Sequence, residues 1–344
     1  MTTFTHSRNR HFLLAAALLL TFAGATWAQT PADINTALNA AYAKYKDIKE
    51  GKNADYIPAL AKVNPNLFGI VLVTPDGKVY SVGDITTEVS IQSISKVFTM
   101  ARVMQDQGPD AIKDNIGVDA TGLRFNSIVS VEISKKLGGG PEMNALVNPG
   151  AITATSMVQG ASRDEIWNKI LTTYSDCAGR PLAVLKDVYD SEAATNQRNQ
   201  AIAMLMYAYG HIKEKPLQAC DIYTEQCAVS VNAKDLAMMA GTLANGGKNP
   251  VTGKQCMKTE NVPEVLAVMA TAGLYDDSGK WLYWTGLPGK SGVGGGIIAV
   301  SPGKFGIAVI SPPLDAAGNS VKAQKAIAEV SNALGGNPYA VKPR

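Results

Sequence analysis

Apolar residues form short runs near both ends of this chain, and turn residues interrupt them. Near the start, apolar runs at 68–73 and 79–82 are joined by a turn at 75–77. Near the end, apolar runs at 297–300 and 305–310 are joined by a turn at 301–303. Two apolar runs joined by a turn rich in proline and glycine are typical of a β-hairpin. The pattern therefore predicts one hairpin near each end of the chain.

Helical spacing of apolar residues dominates elsewhere. It predicts a helix from Ala32 to about Lys49, and residues 109–270 are mostly helical in pattern. The simplest assembly joins 29–108 and 271–344 in one lobe, an antiparallel sheet with flanking helices, and inserts 109–270 as a helical lobe. The predicted fold class is α/β in the α+β sense. A cleft between the lobes is the expected place for a small-molecule site.

Residues 1–28 have the pattern of a secretory signal peptide. Arg8 and Arg10 give a positive start, an apolar stretch (12–23) follows, and Ala28 offers a small residue for cleavage. The alternative, a membrane anchor, is disfavoured because a spanning helix needs roughly 20 apolar residues. We expect export to the periplasm, with a mature chain that begins at Gln29 and has no membrane segment.

The charge balance excludes nucleic acid as a partner. The chain has 32 basic and 29 acidic residues, and removal of Arg8 and Arg10 leaves a net charge near +1. That balance is too even for electrostatic binding to phosphate backbones.

All four cysteines lie in the predicted mature region: Cys177, Cys220, Cys227 and Cys256. In an oxidising compartment three pairings are possible, and Cys220 with Cys227, which would close a short local loop, is preferred. A metal site is disfavoured because no Cys-x-x-Cys occurs and one histidine remains after cleavage. We expect neither a metal nor an organic cofactor.

Two Ser-x-x-Lys sequences occur, and their contexts differ. Ser301-Pro302-Gly303-Lys304 lies in a predicted hairpin turn, where proline and glycine have ordinary turn roles. Ser93-Ile94-Ser95-Lys96 opens an apolar helix that ends at Gly108-Pro109. There the Lys96 amine can reach the Ser93 hydroxyl one turn away, and burial and the helix start both disfavour its charged form.

A second candidate motif lies far downstream. Lys290-Ser291-Gly292 leads through further glycines to an apolar strand, and the Val293 N–H is a candidate for an oxyanion hole. With Ser93 and Lys96 this predicts an acyl-transferring serine enzyme of the β-lactamase and penicillin-binding type. A Ser-His-Asp relay would depend on His211 alone, so Lys96 is the better candidate base. Ser230-Val231-Asn232 matches a third motif of such enzymes but fits a helix N-cap as well.

The chain resembles the bacterial glutaminases, a serine-dependent, β-lactamase-like family, from about Gly51 to Ser320, and we expect a single domain of this type at 29–344. The resemblance rests on several ordered blocks: 54–60 (ADYIPAL), 90–96 (SIQSISK), 125–127 (FNS), 191–192 with 198–199, 270–275 (ATAGLY) and 286–296 (GLPGKSGVGGG). It implies the fold of β-lactamases and DD-peptidases and a homo-oligomer.

The resemblance also implies roles for single residues. Ser93 would be the nucleophile, Lys96 its general base and Tyr223 an aid to proton transfer. The residues that would contact the substrate are Ser93, Asn148, Glu192, Asn199, Tyr223, Tyr275 and Val293, with Tyr56 as an addition. In this set a carboxylate suits a substrate ammonium, and amides suit the amino-acid end.

The implied reaction is hydrolysis of L-glutamine to L-glutamate and ammonia through a glutamyl-serine. Two alternatives stay open. A β-lactamase or D-alanyl-D-alanine peptidase fits export and the two lysine motifs. A non-catalytic periplasmic amino-acid-binding protein would use Glu192 and the tyrosines, and would need neither Ser93 nor Lys96.

Overall fold

The fold was analysed in a computed structural model that describes residues 29–136, 143–341 and 343. The predicted signal peptide lies outside the described residues. The strands are β1 (Gly69–Val73), β2 (Val79–Gly83), β3 (Val89–Ser90), β4 (Ser230–Val231), β5 (Gly289–Gly292), β6 (Gly296–Ser301) and β7 (Phe305–Ile310). The helices are α1 (Pro31–Tyr45), α2 (Pro58–Ala61), α3 (Ser95–Gln107), α4 (Asp110–Asn115), α5 (Val129–Lys136), α6 (Asn148–Met157), α7 (Arg163–Ala178), α8 (Lys186–Ala193), α9 (Gln197–Ala208), α10 (Pro216–Cys227), α11 (Ala233–Ala244), α12 (Val262–Ala272), α13 (Ser278–Thr285) and α14 (Val321–Ala333).

Five strands form one antiparallel sheet in the order β2-β1-β7-β6-β5. Both predicted hairpins are confirmed, because β1 pairs with β2 and β6 pairs with β7. The first and last hairpins lie side by side, since β1 also pairs with β7. Both chain ends therefore build the same sheet.

Alternate residues of β1 and β7 face two separate apolar layers. Val71 and Ala308 pack with α11, whereas Leu72 and Ile307 pack with α1 and α14. Burial on both faces explains why these strands are continuously apolar, and each fully buried aliphatic side chain contributes about 1.5–3 kcal/mol. The predicted antiparallel sheet with flanking helices is confirmed.

Helix α11 packs unusually close to the sheet. A Cβ added at Gly306 on β7 would lie 2.1 Å from the backbone nitrogen of Gly241 on α11, so only glycine allows this approach. Asn232 caps α11 by accepting hydrogen bonds from the N–H groups of Lys234 and Asp235, which confirms the N-cap interpretation. The helical lobe at 109–270 stays a prediction, and α11, which belongs to that range, lies on the sheet.

The preferred disulfide is wrong. Cys220 and Cys227 both lie on α10, where seven residues of helix separate them by about 10.5 Å along the axis. A disulfide needs Cα atoms within about 7 Å, so these two cysteines cannot pair. The predicted local loop is a helix, and all four cysteines have free thiols.

Within residues 29–136 and 143–341, no helix combines the length and the apolar character that crossing a membrane requires.

Candidate active site

Ser93 lies in a tight helical turn, 92–94, between β3 and α3. Apolar residues on both sides are fully buried, including Ile91, Ile94 and Val97, and they fix this turn in the core. Gln92 has a φ of 50°, a left-handed conformation that is uncommon for a residue other than glycine. Gln92, directly before the predicted nucleophile Ser93, is therefore strained, and backbone strain of this kind is typical of functional sites.

The Lys96 amine is buried one helical turn after Ser93. Only 1% of Lys96 is exposed, and its Nζ donates a 2.7 Å hydrogen bond to Asn148 Oδ1. Nζ also lies 5.6 Å from the centroid of the Tyr223 ring. Burial lowers the pKa of this lysine to about 8, although the nearby Glu192 opposes the change. A large fraction of Lys96 is thus neutral at mildly alkaline pH.

Asn148 links several predicted site residues. Its Oδ1 accepts hydrogen bonds from Lys96 and, at 3.1 Å, from the Tyr223 hydroxyl. Its Nδ2 donates to Asn199 Oδ1 at 2.9 Å. Helices α3, α6, α9 and α10 each supply one member of this network.

Glu192 on α8 is buried beside the same network. Burial raises its pKa to about 7, while a 3.3 Å hydrogen bond from Gln92 Nε2 and the nearby Lys96 favour the ionised form. Gln92 also donates to Ser90 Oγ at 3.2 Å. Gln92 was not predicted to be a site residue. Its polar side chain between apolar residues, next to Ser93, was the feature of the sequence that could have indicated a role.

Tyr275 borders Ser93 from the side of β5. Its φ of 57° is left-handed, and its hydroxyl donates to the Ser291 carbonyl at 3.1 Å. The nearby Ser93 side chain lowers the pKa of this hydroxyl, whereas burial raises it more. Tyr275 is therefore the tyrosine near Ser93, whereas the Tyr223 hydroxyl contacts Asn148.

Lys290 is a second buried amine, which the sequence analysis quoted only as part of a motif. Its Nζ donates to the carbonyls of Gly273 and Ser291, at 3.0 and 2.6 Å, and lies 4.3 Å from the Tyr275 ring centroid. Burial first, and then the nearby Lys96, hold the pKa of Lys290 well below its usual value. Two buried lysines thus lie near the site, and Lys96 disfavours the charged form of Lys290.

The end of β5 lies directly against the Ser93 turn. A Cβ added at Gly292 would lie 2.8 Å from the Ile91 carbonyl oxygen and 3.4 Å from the Ser93 nitrogen. Glycine therefore permits this close approach, and it brings Val293, the next residue, to the Ser93 backbone.

A cleft of about 660 Å³ opens beside these residues, and Tyr56, Phe125 and Val293 help to line it. About half of Tyr56 is exposed, and the packing around its hydroxyl, together with the nearby Tyr275 and Glu192, raises its pKa well above the usual value. The structure brings the predicted residues together, although Asn199 is only half-buried and joins them through Asn148. In the described part of the chain, no three His, Cys, Asp or Glu side chains are grouped to hold a metal.

Comparison with known proteins agrees with this geometry. The sequence model of the glutaminase family matches residues 51–339. A glutaminase from Colwellia psychrerythraea is 52% identical over 306 residues, which cover 89% of this chain and 97% of the relative. The solved structure of the probable glutaminase ybaS is 45% identical, with a TM-score of 0.87 over 91% of this chain and 100% of that one. The crystal structure of Mglu in its glutamate form is 34% identical, with a TM-score of 0.85 over 92% and 71%. This chain, with its β-lactamase-like fold, therefore belongs to the glutaminase family of amidohydrolases.

Proposed function

We propose that this protein hydrolyses L-glutamine to L-glutamate and ammonia through a covalent glutamyl-Ser93 intermediate. The observation that carries the proposal is the buried Lys96 amine, with a pKa lowered to about 8, one helical turn from the Ser93 hydroxyl. Family membership supplies the substrate, and the structure supplies the groups for nucleophilic catalysis.

In the first half of the reaction, Ser93 Oγ attacks the side-chain carbonyl carbon of glutamine. The neutral Lys96 amine accepts the Ser93 proton and passes it to the leaving nitrogen, so that ammonia departs when the C–N bond breaks. Asn148 holds the amine in place, and the Tyr275 hydroxyl, which lies near Ser93, is the group assigned to orient the serine hydroxyl. Tyr223, whose ring lies beside the same amine, is the second candidate for assisting proton transfer.

The tetrahedral intermediate carries a negative oxygen that needs hydrogen-bond donors. We assign this role to the backbone N–H groups of Ser93 and Val293, because Gly292 brings the two backbones together. In the second half, water attacks the glutamyl ester, Lys96 removes its proton, and the Ser93 oxygen leaves with that proton. Glutamate is released and the enzyme is restored.

Glu192 is the partner proposed for the substrate ammonium. A carboxylate with a pKa raised to about 7 by burial gains from a bound cation, because the cation restores favourable interactions for its charge. Asn148, Asn199 and the Tyr56 hydroxyl surround the same space and can bond to the amino-acid end. This arrangement favours a free amino acid over a peptide.

The deciding experiment is ammonia release from glutamine by the purified chain 29–344, with a chromogenic β-lactam assayed in parallel. We expect turnover of glutamine and none of the β-lactam. Turnover of the β-lactam alone would support a penicillin-recognising enzyme. Binding of glutamine without ammonia release would support an amino-acid-binding protein. Mass spectrometry after rapid acid quenching should detect a glutamyl adduct on the peptide that contains Ser93.

We also propose that the protein is exported to the periplasm and acts there as a homo-oligomer. The pattern of residues 1–28 supports export, and family likeness supports assembly. Expression of the full chain followed by cell fractionation and N-terminal sequencing should give a periplasmic protein that begins at Gln29. Light scattering on that protein measures the number of subunits, and a monomer would contradict the second part.

A further inference from the structure

Two cysteines that are 79 residues apart in sequence meet on the side of the molecule formed by α7 and the 245–258 loop. Cys177 lies one residue before the end of α7, and Cys256 lies in that loop, which joins α11 to the turn before α12. Each of the two thiols shifts the pKa of the other, upward for Cys177 and downward for Cys256, as expected of sulfurs that lie close together. Cys177 is fully buried and Cys256 is partly buried against the same apolar cluster.

Several contacts hold the loop on the end of α7. Asn249 Nδ2 donates to the carbonyls of Asp176 and Cys177, at 3.0 and 3.2 Å. Lys254 Nζ forms an ion pair of 2.7 Å with Asp176. These two attachments hold the loop that carries Cys256 beside the end of α7 without a covalent bond.

A cleft of about 550 Å³ opens beside the pair, and Asp176, Gly179, Thr252 and Lys254 help to line it. Such a volume is sufficient for a small organic molecule. Cys256 is the partly exposed member of the pair, so a soluble oxidant can approach it from the loop side.

We propose that Cys177 and Cys256 form a redox modification site, which closes to a disulfide when the protein meets a disulfide-type oxidant such as oxidised glutathione. The site is separate from glutamine hydrolysis and does not depend on it. It also replaces the pairing expected from sequence, because these are the two cysteines that the fold brings into contact.

The chemistry is thiol–disulfide exchange in two steps. The Cys256 thiolate attacks one sulfur of oxidised glutathione, the glutathione S–S bond breaks, and one glutathione thiolate leaves. Cys177 then loses its proton and attacks Cys256 of the mixed disulfide, which expels the second glutathione. Two protein thiols are oxidised, one glutathione disulfide is reduced to two thiols, and the two protein protons end on those thiols.

The environment favours this order of attack. The Cys177 thiol, the backbone of Asn249 and the nearby Lys254 lower the pKa of Cys256. The Cys256 thiol, together with burial, raises the pKa of Cys177 well above the usual value. Cys256 is thus the attacking thiolate and Cys177 the resolving thiol.

A disulfide between Cys177 and Cys256 would help to hold α7 against the segment that contains Ser93 and Ser95. On α7, one turn before Cys177, the Tyr174 hydroxyl donates to the Ser95 carbonyl at 3.0 Å. Because a disulfide across a long loop restricts the unfolded chain, we expect the melting temperature to rise by about 5 °C on oxidation.

The experiment treats the purified chain with oxidised glutathione, denatures it without reductant, alkylates the free thiols and maps the peptides. We expect a linked peptide pair containing Cys177 and Cys256, with alkylated Cys220 and Cys227. The rise in melting temperature should vanish in Cys256→Ser and persist in Cys220→Ser, the matched control on α10.

Four alkylated thiols after oxidation would overturn the proposal. So would a glutathione adduct that stays on Cys256, because it would show that Cys177 cannot resolve it. A linked pair that includes Cys220 or Cys227 would do the same. Ammonia release measured on the same samples keeps this result separate from the test of glutamine hydrolysis.

Discussion

The two Ser-x-x-Lys segments of this chain have the same residue pattern and opposite surroundings. Lys96 is fully buried on α3, and its amine is bonded to the Asn148 side chain. Lys304 lies in the turn between β6 and β7, and its exposed amine donates to the Gly335 carbonyl at 2.7 Å. Ser301 is also buried, but its hydroxyl donates to the Gly336 carbonyl at 2.7 Å and so serves to attach the C-terminal segment.

This difference shows what turns a serine and a lysine into a catalytic pair. The helix places the amine one turn from the hydroxyl, and burial lowers the pKa of the amine to about 8. The hairpin turn that carries Lys304 provides neither the helical spacing nor the burial of the amine. Four measurements test whether the comparison is right.

The largest effect is expected from the two serines. Ser93→Ala should lower kcat by about 10⁴-fold or more, because the nucleophile is removed while the fold stays intact. Ser301→Ala should retain kcat within about twofold, since its hydroxyl has only a structural bond. Steady-state ammonia release measures both. Comparable losses in the two variants would mean that Ser93 has no special role.

The second largest effect is expected from the two lysines. Lys96→Met keeps the aliphatic stem and removes the amine, so kcat should fall by about 10³-fold, within the range of general-base catalysis. Because the wild-type amine is buried, this variant should be at least as stable as the parent in urea denaturation. Lys304→Met should change neither quantity. Near-normal turnover by Lys96→Met would transfer the role of base to another group.

The pH profile sharpens the comparison further. Lys96, with a pKa of about 8, must be neutral to accept a proton, and Glu192, with a pKa of about 7, must be ionised to bind an ammonium. Both requirements fail as the pH falls, so kcat/KM should rise by about 500-fold from pH 6 to pH 8, about 50-fold from Lys96 and about 10-fold from Glu192. In Glu192→Gln the lower step should disappear and the upper one remain. A flat profile would contradict both assignments.

The smallest effect concerns stability. Ser301→Ala removes one buried hydrogen bond to Gly336 and should lower the free energy of unfolding by about 1 kcal/mol. Ser93→Ala should change it less, since Ser93 faces the site. Urea denaturation followed by circular dichroism distinguishes them. The opposite order would show that Ser93 is the structural serine of the two.

Several parts of the fold and the site were predictable from sequence. Both hairpins of the main sheet followed from local turn chemistry, and the helix after Ser93 ends at Gln107 as Gly108 indicated. The choice of Ser93 over Ser301 also followed, because proline and glycine place Ser301 in a turn. These features depend on neighbouring residues, which a linear pattern records.

Other parts were not predictable. Gln92 bonds to Glu192, which is 100 residues away in sequence. Lys290 bonds to the carbonyl of Gly273, which lies outside its own strand. The disulfide prediction failed for the same reason, because it assumed that cysteines close in sequence are also close in space. Cys220 and Cys227 are kept apart by a helix, whereas Cys177 meets Cys256 across 79 residues.

The sequence by itself determined the sheet-forming ends, the helix that follows Ser93 and carries Lys96, and the family to which the chain belongs. Only the tertiary structure decided which lysine amines are buried, which tyrosine hydroxyl lies near Ser93 and which cysteines lie close together. The reason is physical, because secondary structure depends on local periodicity and turn chemistry. Burial, pKa and contact depend instead on segments that only the complete fold brings together.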